Sequence, residues 1–80
     1  ARVGKDLTGQ PAVEADLRST IGAVYHELGD FKKAAAMHRE ALGIRRELLG
    51  HEHSDVADSL ASLGRALYGE RRFAESEAVH

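Results

Sequence analysis

The sequence predicts an all-α fold: antiparallel helix-turn-helix repeats stacked as an α-solenoid, with about two repeats and four main helices. Three observations predict it. Apolar residues recur at helical rather than strand spacing. Glycines and capping residues punctuate them at hairpin-like intervals. The pattern also returns when the chain is shifted by 42 residues.

Residues 1–10 carry few large apolar side chains and contain Gly4 and Gly9, so they read as the end of a preceding repeat or a linker. Pro11 suits a first helical position, where its missing N–H costs nothing. From there Leu17, Ile21, Val24, Tyr25 and Leu28 mark one face of a first helix. Gly29-Asp30 ends that helix, and Asp30 is placed to cap the next. The second helix runs from Phe31 to Leu49 through Ala34, Ala35, Ala41 and Leu42, and Gly50 closes it as a left-handed cap. The polar stretch His51-Glu52-His53 leads to Ser54 as the next N-cap, with Asp55 favourable to the helix dipole. A third helix carries Val56, Leu60, Leu63 and Leu67, and Gly69 is expected to break it. A fourth helix starts near Arg72-Phe73 and is still running at His80. Nothing reads as strand. The organisation expected is therefore residues 1–10 as lead-in, 11–50 as one repeat and 51–80 as a second, truncated one.

The 42-residue shift aligns Gly22 with Gly64, Phe31 with Phe73, Ala15 with Ala57 and Asp16 with Asp58. It also pairs Leu7 with Leu49, Ala36 with Ala78 and His38 with His80. These matches fall where two helices must pack. Mid-helix Gly22 and Gly64 each cost about 1 kcal/mol relative to Ala, so close packing should compensate. Ala34 and Ala41 offer the small opposing surface. Phe31 and Phe73 are expected to fill the gap between helices, at about 3–5 kcal/mol for truncation if buried.

Composition excludes several classes of function. The chain has 80 residues, 42% hydrophobic and 30% charged, a globular balance. Its net charge of −2, with both signs scattered, gives no strong claim on nucleic acid or an anionic membrane. Without cysteine there is no disulfide, thiolate metal site or cysteine nucleophile. No apolar run approaches the roughly 20 residues of a membrane span, and no signal peptide opens the chain. A cytoplasmic location fits these features. No phosphate-binding, dinucleotide-binding, zinc-protease or serine-hydrolase motif occurs, so no enzyme activity and no cofactor are expected. The short chain, beginning at Ala1 without Met, reads as a piece of a longer array.

The stretch Ile21-Gly22-x-x-Tyr25, followed by Gly29-x-Phe31-x-x-Ala34 and Ala41, resembles the tetratricopeptide repeat signature. Leu63, Gly64, Leu67 and Phe73 stand at its second-copy positions. The longer period, with Ile44 to Gly50 leading into His53-Ser54-Asp55-Val56-Ala57, looks like the variety found in kinesin light chains. The opening Gly9 to Arg18 also looks like repeats in the C-terminal regions of bacterial serine/threonine kinases. This chain departs from the signature where Leu67 replaces an aromatic, Arg71 the turn glycine and Ser76 a small alanine. Arg18 stands where a bulky apolar residue is commoner.

The resemblance implies a protein-interaction scaffold that binds a partner protein or peptide in a concave groove. By that resemblance the groove positions are Asp16, Ser19, Ala23, His26 and Glu27 in one copy. In the other they are Asp58, Ala61, Ser62, Arg65 and Tyr68. The carboxylate clamp of chaperone-binding members is excluded, because Ser19 and Ala23 stand where its Lys and Asn would be and the chain has no Asn. Asp16, Glu27 and Asp58 facing Arg65 would suit a peptide of some basic character. The alternative function is a regulatory or substrate-recruiting region of a bacterial kinase or similar signalling enzyme.

His51-x-His53 has metal-ligand spacing, with Glu52 or Asp55 as oxygen donors. The resemblance favours a structural role, since such repeats commonly hold a His just before the first-helix cap. His38 and His80 occupy equivalent positions and read as packing residues. Arg45-Arg46 and Arg71-Arg72 read as solvated faces rather than phosphate contacts. An open apolar side at Phe73, Ala74, Ala78 and Val79 predicts a homo-oligomer, through end-to-end packing or helix exchange.

Overall fold

The computed structural model describes residues 10–79, and the expected lead-in over residues 1–9, with Leu7, lies outside the described residues, as does His80. Side chains are described through Ser76, so the expectations for Ala78 and Val79 also fall outside. The order is α1 (Pro11–Glu27), α2 (Phe31–Leu49) and α3 (Ser54–Val79), and no strand occurs among the described residues. The helices pack antiparallel in sequence order with α2 in the middle, and the molecule measures 49 × 32 × 13 Å. Its short dimension is about one helix diameter. The sheet of helices is a single layer.

Pro11 sits at the start of α1, and Gln10 precedes it without a side-chain cap. The turn into α2 is fully specified. Gly29 has φ +81°, its N–H donates to the His26 carbonyl at 3.0 Å, and Asp30 N–H reaches back to the Tyr25 carbonyl at 2.9 Å. This paired closure demands a left-handed residue, which glycine supplies without Cβ strain. Asp30 then accepts from the Lys33 N–H at 3.3 Å through Oδ1 and caps α2 as expected.

The hairpin interior is built from small residues. Ala15 and Gly22 of α1 and Ala34, Ala35 and Ala41 of α2 are buried, and Ala34 and Ala35 join Ala66 of α3 in the core, flanked by Tyr25 and Leu63. The large apolar residues of α1 do not face this interior: Leu17, Ile21, Val24 and Leu28 are exposed, and only Tyr25 is half-buried. The periodicity identified a stripe correctly but not its direction. Alanine and glycine let the helices approach closely, which turns the bulky stripe outward.

At the second connection Gly50 has φ +85° and donates to the Arg46 carbonyl at 3.0 Å. His53, not Ser54, caps α3: its carbonyl accepts from the N–H groups of Val56 and Ala57, and its Nδ1 accepts the Asp55 N–H at 3.0 Å. Ser54 is already helical. Arg45 is not a solvated arginine either. Only 12% of its side chain is exposed, and it donates to Ser59 Oγ at 2.7 Å and to Asp16 Oδ1 at 2.8 Å, tying all three helices together. Arg18 likewise bridges Glu14 and, across the hairpin, Glu40.

The main correction concerns α3. Four helices were expected, with Gly69 breaking the third; instead one 26-residue helix runs through Gly69 to Val79. The repeat register explains why. The turn residues Leu28, Gly29 and Asp30 correspond to Glu70, Arg71 and Arg72. Arg71 at a left-handed position would cost about 1–2 kcal/mol, and replacing the capping Asp about 1 kcal/mol. Gly69 serves a different purpose. A Cβ there would lie 2.7 Å from the Phe31 ring, so the glycine lets α3 press against that ring. The second hairpin is therefore not closed, and Phe73, expected between helices, is 58% exposed.

Candidate functional site

Ser19, Ala23, His26 and Glu27 recur at helical spacing on α1, and Ser62 and Arg65 do so on α3. These six line one cleft of about 270 Å³ between the helices, together with His38 of α2. A larger hollow of about 750 Å³ continues along α3, where Ala61 and Tyr68 join Phe31, Phe73 and Arg72. His26 and Arg65 line both. Eight of the ten groove positions thus border one continuous concavity. The aspartates do not: Asp16 is engaged by Arg45 at 2.8 Å, and Asp58 is exposed and lines neither hollow.

His38 is the cleft residue that sequence reasoning assigned to packing alone. Only 4% exposed, it lies against Gly22, where a Cβ would come within 2.8 Å of its Nε2. Its Nδ1 has no hydrogen-bond partner among the described residues. Burial first, then the positive charges of His26, Arg65 and Arg45, hold its pKa below the ordinary histidine value. The ring is therefore neutral at pH 7.

The charge pattern differs from the expected one. Arg65 donates from Nη2 to Ser62 Oγ at 3.1 Å, and it has no carboxylate in ion-pair contact among the described residues. Glu27 is the carboxylate on the cleft wall. In the larger hollow the Arg72 guanidinium lies 5.7 Å from the Tyr68 ring centre and donates to the Tyr68 hydroxyl at 3.2 Å. The groove offers the hydroxyls of Ser19, Ser62 and Tyr68, the imidazoles of His26 and His38, the guanidinium groups of Arg65 and Arg72, the Glu27 carboxylate and aromatic surface. Among the described residues, the groove's side-chain hydrogen bonds run from Arg65 to Ser62 and from Arg72 to Tyr68.

The signature residues separate along the chain. In the first copy Gly22, Ala34 and Ala41 are buried, Gly29 makes the turn, and Tyr25 takes Lys33 Nζ over its ring at 5.7 Å. Phe31 meets His26 edge-on at 5.1 Å. In the second copy Leu63 is half-buried, Leu67 is exposed, and a Cβ on Gly64 would meet nothing within 4 Å. Ile21, which opens the first-copy signature stretch, is exposed. As for metal binding, His53 Nδ1 is occupied by the α3 cap, and no cluster of three or more His, Asp or Glu forms among the described residues.

A family model described as tetratricopeptide repeat matches residues 13–80. Comparison with curated proteins and with solved structures found no match. No helix among the described residues is long and apolar enough to cross a membrane.

Proposed function

Because the chain belongs to the tetratricopeptide repeat family, whose repeats generally mediate protein–protein interaction, we propose that it binds a segment of a partner protein in the concavity between α1 and α3. The observation that carries this reading is the shared cleft of Ser19, Ala23, His26, Glu27, Ser62 and Arg65 over the buried His38. Among the described residues Arg65 has no carboxylate in ion-pair contact and Asp16 pairs with Arg45, so the bound segment presents polar or acidic groups near Arg65 and apolar groups toward Phe31 and Tyr68. The chain also associates with itself through exposed apolar surface, of which Tyr68, Phe73 and Leu28 are the most open.

A random peptide library selected on the wild-type protein, with affinities measured by calorimetry, tests the groove. Ala23→Arg fills the cleft from an exposed helix position and should abolish binding of the selected peptides while leaving helicity unchanged. Peptides that bind this variant as well as wild type place the interaction elsewhere.

A further inference from the structure

The larger hollow, about 750 Å³ along α3 from Ala61 to Ser76, is walled by the rings of Phe31, Tyr68 and Phe73. Its charged lining favours one sign. Arg65 and Arg72 border it, and no carboxylate does among the described residues: Glu27 lines the adjoining cleft, and Glu70 lines a separate hollow with Leu28 and Asp30. Neither arginine has a carboxylate in ion-pair contact among the described residues, and Glu75 pairs with Arg71 at 3.2 Å instead. A guanidinium carries five N–H donors. Arg65 gives one to Ser62 and Arg72 gives one to Tyr68, which leaves most of each fork for a ligand. Seven residues separate the two arginines, so they share one face of α3 about 10 Å apart.

Resting on the groove-binding reading above, we infer that the partner segment in this hollow is an acidic amphipathic α-helix lying along α3. Two of its acidic residues, seven apart, meet Arg65 and Arg72, and a bulky apolar residue between them packs against Tyr68 and Phe31. The spacing of the arginines selects the helix. A helix packed at a small crossing angle repeats the same separation at i and i+7, with i+4 on the same face. An extended segment rises about 3.3 Å per residue and spans the gap in about three residues, which puts its two end side chains on opposite faces. Backbone chemistry points the same way. The lining is rich in donors and poor in acceptors, since the Tyr68 hydroxyl already accepts from Arg72, and a helix satisfies its own N–H groups. The length also fits, because Ala61 to Ser76 spans about 22 Å, or about four helical turns. Arginine and tyrosine flanking an open apolar surface are the residue types that carry binding energy at interfaces.

The probes are three fluorescein-labelled, alanine- and glutamine-based helical peptides of about eighteen residues. The first carries two Glu seven apart with a Leu four residues after the first Glu. The second has the same composition with the Glu residues five apart, on different faces, and the third replaces both Glu of the first by Gln. Fluorescence anisotropy at pH 7 should show the first binding about tenfold more tightly than either of the others. Arg65→Gln and Arg72→Gln, both at exposed positions, should each remove most of that advantage at unchanged helicity. Equal affinity for the three peptides, no binding of any, or an advantage that survives both substitutions overturns the helical occupant. In those cases the groove reading still stands if Ala23→Arg abolishes binding of the library-selected peptides, and falls with it if that variant binds them as wild type does. A protein dimer in sedimentation equilibrium that Arg72→Gln dissociates and the first peptide does not compete with would assign the hollow to a second copy, and would also overturn the proposal.

Discussion

The α1–α2 hairpin and α3 carry two copies of one pattern, and only the first copy closes. Both have a mid-helix glycine followed nine residues later by phenylalanine. In the hairpin the glycine is covered by His38, and the phenylalanine packs edge-on against His26 and against the backbone at Gly69. In α3 the equivalent glycine faces open space and the equivalent phenylalanine is largely exposed. Two residues separate these outcomes. Gly29-Asp30 makes a turn, whereas Arg71-Arg72 continues a helix. The apolar pattern nominates surfaces for packing, but a backbone able to take positive φ decides whether they meet.

The largest effect that should separate the two copies is loss of the phenylalanine ring. Phe31→Ala removes the His26 contact and empties the space in front of Gly69, at a cost of about 2–3 kcal/mol, below the value for a fully buried ring because Phe31 is only half-buried. Phe73→Ala should cost less than about 0.5 kcal/mol, as exposed substitutions do. Urea denaturation at a concentration where the chain is monomeric measures both. Equal costs would mean that the second copy is closed in solution, and the comparison would fail.

The glycines give a smaller effect with opposite signs. Gly22→Ala must displace the His38 ring and should destabilise by about 1 kcal/mol, since overpacking of about 1–3 kcal/mol outweighs the gain in helix propensity. Gly64→Ala meets no atom in the monomer and should stabilise it by about 0.5–1 kcal/mol. Urea denaturation of both variants measures the difference, and equal destabilisation by the two alanines would remove the distinction between Gly22 and Gly64.

Much of this was legible in the residues. Pro11, Gly29-Asp30 and Gly50 mark boundaries that the structure keeps, because each acts through its own backbone or a neighbour's N–H. Gly69 misled, since a lone glycine in a helix signals either a break or a close approach, and only the position of Phe31 distinguishes them. The outward stripe of Leu17, Ile21 and Val24 was invisible for a related reason: periodicity defines a face but not its partner. The groove positions of α1 and α3 were implied by the resemblance to tetratricopeptide repeats, and eight of the ten border the concavity. His38 in the cleft and Arg45 on Asp16 depend on three helices meeting, and no local pattern carries that information.

Titration of His38 should give the smallest effect, because only one group is involved. Burial and the neighbouring positive charges of His26, Arg65 and Arg45 lower its folded-state pKa, while Glu27 is the carboxylate that faces the same cleft. In the unfolded chain the imidazole titrates near its ordinary value, about 6.5. The unfolded state therefore binds the proton more readily, and stability rises with pH wherever the two states differ in protonation. The contribution of His38 is fully present above about pH 6.5 and is lost as pH falls from there through the folded-state pKa. Thermal denaturation between pH 7.5 and pH 5 should show a falling midpoint in wild type, with a shallower fall in His38→Leu. If the two slopes were equal, His38 would be solvated in the folded chain, and Gly22 would have lost the cover that distinguishes it from Gly64.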